Sequence, residues 1–120
     1  MYVTPDQLLT EVSHKLPDLG ASLEAAPDAS RLHRFFDYFA AYTRQFLAPG
    51  TDNESALARC LHLANLFYQQ GSAEIRNAVE VTYLSALHLD GSSWLLSRSR
   101  ELLSPELLRC QQRMEYTLLP

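Results

Sequence analysis

The chain has 120 residues, 47% of them hydrophobic, and carries 14 acidic against 10 basic side chains for a formal net charge of −4. That length implies one domain over residues 1–120, large enough to bury roughly two thirds of its unfolded surface in a single core. Lys15 is the single lysine and no basic run exists to follow a phosphate backbone, which argues against nucleic acid as a direct partner.

Thr4-Pro5-Asp6-Gln7 predicts a helix start, with Thr4 as N-cap, Pro5 at the first helical position and Gln7 completing a capping box. The helix should run to about Leu16, burying Leu8, Leu9, Val12 and Leu16 along one stripe, and Pro17 ends it. Residues 17–27 fit either a short helix opened by Pro17 or an irregular connector, because Gly20 weakens a regular helix. A third segment, capped by Asp28 and stopped at Leu47 by Ala48-Pro49-Gly50, places Leu32, Phe35, Phe36, Phe39, Thr43, Phe46 and Leu47 at helical steps as an aromatic wall. Tyr38 and Tyr42 lie off that wall with Arg31, Arg34 and Asp37, either as core rim or as anchors for a protein partner.

Thr51-Asp52-Asn53-Glu54 is a second capping box, opening a helix to Gln70 with Gly71 as a left-handed C-cap. Its buried face should hold Leu57, Cys60, Leu61, Ala64, Phe67 and Tyr68, leaving Arg59, His62, Asn65 and Gln69 outside. Ser72 then caps a helix through Leu89 that is apolar on nearly every side, which predicts a buried central element. Ile75, Val79, Thr82 and Ala86 form one stripe along it, while Ala78, Val81, Leu84 and His88 form another. Beyond Asp90-Gly91, a segment with Trp94, Leu95, Leu102 and Leu103 precedes Ser104-Pro105-Glu106, a cap-then-proline start for a last helix to about Leu118. No period-two run of β-branched residues occurs, so the expected fold is all-α, a compact bundle of about six helices around residues 72–89.

Little chemistry is written into this pattern. The four histidines, at 14, 33, 62 and 88, fall on separate segments with no second ligand at i+3 or i+4, so neither a metal nor a cofactor is expected. Cys60 and Cys110 lack metal-ligand spacing and read as buried free thiols. Glu74, Asn77 and Glu80 form a polar row at i, i+3, i+6; two carboxylates could serve acid–base catalysis, but no nucleophile accompanies them, which favours a structural row with Asn77 hydrogen bonding inside the bundle. The chain is therefore not expected to be an enzyme. MYVTPDQ has neither the basic region nor the apolar core of a signal peptide, and no apolar run approaches a membrane span, so the expected location is cytoplasmic. Up to Glu54 there are eight acids against four bases, and after it six against six, so the net negative charge falls in the N-terminal half and would favour a basic partner there.

The pattern Gly71-x-x-Glu74-Ile75-x-Asn77-x-Val79-x-Val81-x-Tyr83-Leu84, preceded by FFDYFAAYTRQFL and followed by a leucine-rich helical pair, resembles a family of small all-helical bacterial immunity proteins. The similarity runs from about Leu16 to Leu108; the position after Leu84, acidic in the family, is Ser85 here. The resemblance implies a binding protein without catalysis that neutralises a cognate toxin in interbacterial competition, such as a type VI secretion effector, by covering its working surface. With the charge asymmetry it suggests a basic toxin domain docked on Asp18, Glu24, Asp28, Asp37, Tyr38 and Tyr42. An adaptor or chaperone of a secreted effector is the alternative, expected to show exposed apolar surface.

Overall fold

The computed structural model describes residues 7–26, 31–46, 54–87 and 101–110. Those residues form an all-α bundle. Its elements are α1 (Leu8–Lys15), α2 (Pro17–Ala25), α3 (Leu32–Arg44), α4 (Glu54–Gln70), α5 (Ala73–Ala78), a π-helical turn (Val79–Tyr83), α6 (Leu84–Leu87) and α7 (residues 105–110). Thr4 to Asp6, the Asp28 and Thr51 to Asn53 caps, and the segment around Trp94 lie outside the described residues.

Residues 17–25 are a regular helix, with Pro17 at its start and Leu16 (φ −134°, ψ 74°) as the break from α1. Gly20 does not interrupt it. A Cβ at Gly20 would stand 2.7 Å from the Ser13 Cα and 2.5 Å from its Oγ, so the glycine serves close packing of α2 on α1. Leu8, Val12 and Leu16 on α1 and Leu19 and Leu23 on α2 enter the core. Leu9, expected inside, is 37% exposed, because the buried stripe of α1 is the narrower 8–12–16 set.

The third helix begins at Leu32, later than an Asp28 cap would place it: Arg31 is extended (φ −80°, ψ 130°), and the helical ladder opens with the Phe35 N–H donating to the Arg31 carbonyl at 2.8 Å. It also closes earlier than Leu47, in a tightened turn where the Gln45 and Phe46 N–H groups donate to the Tyr42 and Thr43 carbonyls at 3.3 and 3.0 Å. Its aromatic wall is present. Phe35, Phe36 and Phe39 meet Phe67 of α4 in edge-to-face pairs with centroids 6.0–6.4 Å apart, and Phe36 and Phe39 also contact the Tyr83 ring.

Leu57, Cys60, Leu61, Ala64, Phe67 and Tyr68 are buried on α4, as the periodicity predicts. Gly71 ends this helix without a left-handed backbone. Its N–H donates to the Phe67 carbonyl at 2.8 Å, and an added Cβ would collide with that same oxygen and with the Ile75 side chain, so here too glycine is required by crowding.

From Ala73 to Leu87 the backbone stays helical, but it is neither uniform nor buried on all sides. Ser72 caps it by accepting from the Ile75 N–H at 3.4 Å. At the wide turn, the Leu84 N–H donates to the Val79 carbonyl five residues back. The residues actually buried are Ile75, Ala78, Val79, Tyr83, Leu84 and Leu87; Val81 is 58% exposed, and Thr82 and Ala86 are half-buried. Steps of four overshoot a regular α-helix by about 40° each. The wide turn absorbs that overshoot, so Tyr83 and Leu87, rather than Thr82 and Ala86, fall in line with Ile75 and Val79. Outside, Thr82 Oγ1 hydrogen bonds to His33 Nδ1 at 2.6 Å, tying the turn to α3.

Tyr83 brings a hydroxyl into the core, where Thr43 meets it. The two oxygens are 2.8 Å apart, and the Thr43 hydroxyl lies 2.9 Å from the Phe39 carbonyl as its acceptor. Burial raises the Tyr83 pKa well above its ordinary value, with the nearby Cys60 thiol adding to the effect. Burial likewise pushes the Cys60 thiol up to about 11, against the opposing pull of the Thr43 hydroxyl and the Arg59 charge.

Two measurements test this packing. Gly20→Ala should lower stability by about 1–3 kcal/mol in urea unfolding, through overpacking, although alanine is the better helix former; an unchanged or raised midpoint would contradict the close approach. Stability should also fall as pH rises from about 9 to about 11. There the unfolded Cys60, with its ordinary value of 9.0, has released a proton that the folded chain retains to about 11. The loss is about 1.4 kcal/mol per pH unit for each such group, and Cys60→Ala should flatten its first part.

Candidate functional site

The wide turn divides the Glu74, Asn77, Glu80 row. Glu74 and Asn77 are exposed, so Asn77 is not the buried hydrogen-bonding residue expected of it; Glu80, within the wide turn, is half-buried. There it accepts from the Tyr68 hydroxyl of α4 and from the Cys110 thiol of α7, the latter at 3.3 Å. Tyr68 and Cys110 are also within 3.5 Å of each other. Arg76 stacks over the Tyr68 ring with Cζ 4.6 Å from the centroid. Burial raises the Tyr68 pKa far above its ordinary value, and the bonds to Glu80 and Cys110 add to it. The phenol therefore stays protonated and serves as a donor, which suits a polar joint between three elements.

A second joint lies one turn back along α4. Asn65, expected on the outer face, is half-buried and holds the start of α7 at both ends of its amide. Nδ2 donates to the Leu102 carbonyl at 3.0 Å, and Oδ1 accepts from the Ser104 N–H at 2.9 Å. Ser104 in turn caps α7 as its sequence predicts, its hydroxyl accepting from the Leu107 N–H at 3.3 Å ahead of Pro105. Cys60 and Cys110 are buried free thiols, and no group of three or more metal-ligating side chains occurs among the described residues.

The residues expected to dock a partner occupy α2 and α3. Asp18, Glu24, Asp37 and Tyr38 are exposed, Tyr42 is half-buried, and Asp28 is outside the described residues. Asp18 stands near Tyr42: after burial and the Cys60 thiol, its charge is the next contributor raising the phenol pKa. Tyr42 also packs edge-on against Phe46, with centroids 5.2 Å apart. Asp37 is not a free acid, since Arg34 lies 3.9 Å away on the same exposed face of α3. On residues 7–46, leaving out 27–30, four acids (Glu11, Asp18, Glu24, Asp37) face four bases (Lys15, Arg31, Arg34, Arg44). The acidic excess of the N-terminal half thus resides in Asp6, Asp28, Asp52 and Glu54 rather than on the described α1–α3 surface.

An open groove of about 520 Å³, which the sequence did not mark, is lined by His14, Lys15, Arg59, His62, Leu63 and Leu66. The first two belong to the last turn of α1, and the other four follow one another at i, i+3, i+4, i+7 along α4.

Asn65→Ala should cost about 1–3 kcal/mol by stranding the Ser104 N–H and the Leu102 carbonyl, whereas Asn77→Ala, on the surface, should stay within about 0.5 kcal/mol of the parent. Thermal unfolding of the two variants side by side checks this; a larger loss for Asn77 would reverse the assignment.

Among the described residues no helix is long and apolar enough to cross a membrane. No curated protein and no solved structure matches the chain. A family model described as a domain of unknown function (DUF7674) matches residues 9–117, nearly the whole length, and the chain belongs to that family.

Proposed function

We propose that the protein is an immunity-type binding protein, cytoplasmic and without catalysis of its own, that neutralises a cognate toxin domain by covering its working surface. Docking is through α2 and α3. The observation that supports this reading is the exposure of Asp18 and Glu24 on α2 and of Asp37 and Tyr38 on α3. Tyr38 stands one turn before Tyr42 and is 37% open to solvent. α2 carries Asp18 and Glu24 with no base of its own, and tyrosines beside those two acids make a rim that combines anchoring contacts with local electrostatic steering toward a basic partner. The resemblance of the central-helix motif to immunity proteins supports the same reading. An adaptor for several effectors would use a broad apolar surface. Among the described residues the large exposed apolar side chains are Leu9, Tyr38 and Val81, which favours one dedicated partner.

The test is association with the toxin domain encoded beside the gene, followed over a salt series. Reversing Asp18, Glu24 and Asp28 together to Lys should slow association by roughly tenfold and flatten its salt dependence, with the fold intact. Unchanged association would move the docking face elsewhere, and an adjacent gene product that neither binds nor is neutralised would remove the immunity reading.

A further inference from the structure

The groove between the end of α1 and the middle of α4 has a polarity opposite to that of the whole molecule. On a chain of net charge −4, it gathers the single lysine, Lys15, an arginine, Arg59, and two imidazoles, His14 and His62, with no acidic residue among the described side chains that line it. All four of these polar side chains are exposed, while Leu63 is buried and Leu66 half-buried beneath them. The C-terminal dipole of α1 accounts for a preference for His14 and Lys15 at their positions. It does not account for Arg59 and His62, which sit mid-helix on α4 and face the same opening. Like charges brought together around a concavity repel one another in the empty state and are relieved by an anion.

We infer that this groove binds a small organic phosphate. Lys15 and Arg59 supply fixed positive charge for the phosphoryl oxygens, with Arg59 able to present two parallel N–H donors, and His14 and His62 add ring N–H donors. Leu63 and Leu66 offer an apolar floor for the body of the ligand. A volume of about 520 Å³ is of the size that holds a mononucleotide-like molecule rather than a bare ion. The groove rests on α1 and α4, whereas the proposed docking rim is on α2 and α3, so its occupancy is read out by a small ligand without any toxin present.

Calorimetric titration of the full chain with adenosine monophosphate, and separately with inorganic pyrophosphate, tests the assignment. Adenosine monophosphate should bind saturably with one site per chain. Lys15→Gln and Arg59→Gln should each weaken it by about tenfold. Arg109→Gln, on α7 and outside the groove, should leave it unchanged, and circular dichroism on each exposed-site variant verifies that the fold is retained. Tighter binding of the nucleotide than of pyrophosphate supports the apolar floor. Equal or tighter binding of pyrophosphate would reduce the groove to a simple anion site and overturn the organic-phosphate assignment. Absence of saturable binding by either probe, or binding indifferent to both groove substitutions, would overturn the site itself.

Discussion

The wide turn at Val79–Tyr83 is the constraint on which the rest of the bundle depends. One helix has to send Tyr83 into the aromatic cluster of α3 and α4, Thr82 to His33 and Glu80 to Tyr68 and Cys110. A regular α-helix cannot aim those side chains and also keep Ile75 and Leu87 on the buried side, because steps of four rotate progressively off its axis. Slackening the ladder by one residue resolves the conflict at the cost of poorer hydrogen-bond geometry locally.

The polar groups that this arrangement brings inward are held largely by neutral partners. Glu80 is bonded by a phenol and a thiol, Tyr83 by a threonine hydroxyl, and the Ser104 N–H by an asparagine amide. Neutral donors avoid the heavy desolvation cost of burying a cation beside the carboxylate, and they demand particular geometry to be of use. The Arg76 guanidinium lies over the Tyr68 ring, with Cζ 4.6 Å from the centroid. The joints therefore specify how α4, the central helix and α7 fit together more than they add net stability.

Helix content was legible wherever apolar spacing followed one period. The α3 wall from Phe35 to Thr43, the inner face of α4 and the Ser104-Pro105 start of α7 all follow from spacing and caps. Two glycines misled for a shared reason: conformational permissiveness is a local property, whereas Gly20 and Gly71 are required by atoms of neighbouring turns or helices that no local pattern names. The wide turn was equally hidden, since Thr82 and Tyr83 both suit a straight helix until the partner's shape decides between them. The Glu80 joint and the groove are tertiary juxtapositions. Cys110 is thirty residues from Glu80, and His14 and Arg59 line one groove although two helices separate them in sequence.

Asn65 has a bearing on how the chain spends its conformational entropy. Its two bonds join positions 37 and 39 residues apart, whereas α1 and α2 meet through residues separated by a single short break. Closing a loop costs entropy that grows with the logarithm of its length, so the α1–α2 hairpin is the inexpensive contact and the Asn65 clamp the expensive one. A single amide, by engaging a carbonyl and an N–H two residues apart, gains two bonds for one such closure. Aspartate in its place would present an acceptor to both, keeping one bond and turning the other into a repulsion, so this clamp discriminates between side chains that differ by one atom.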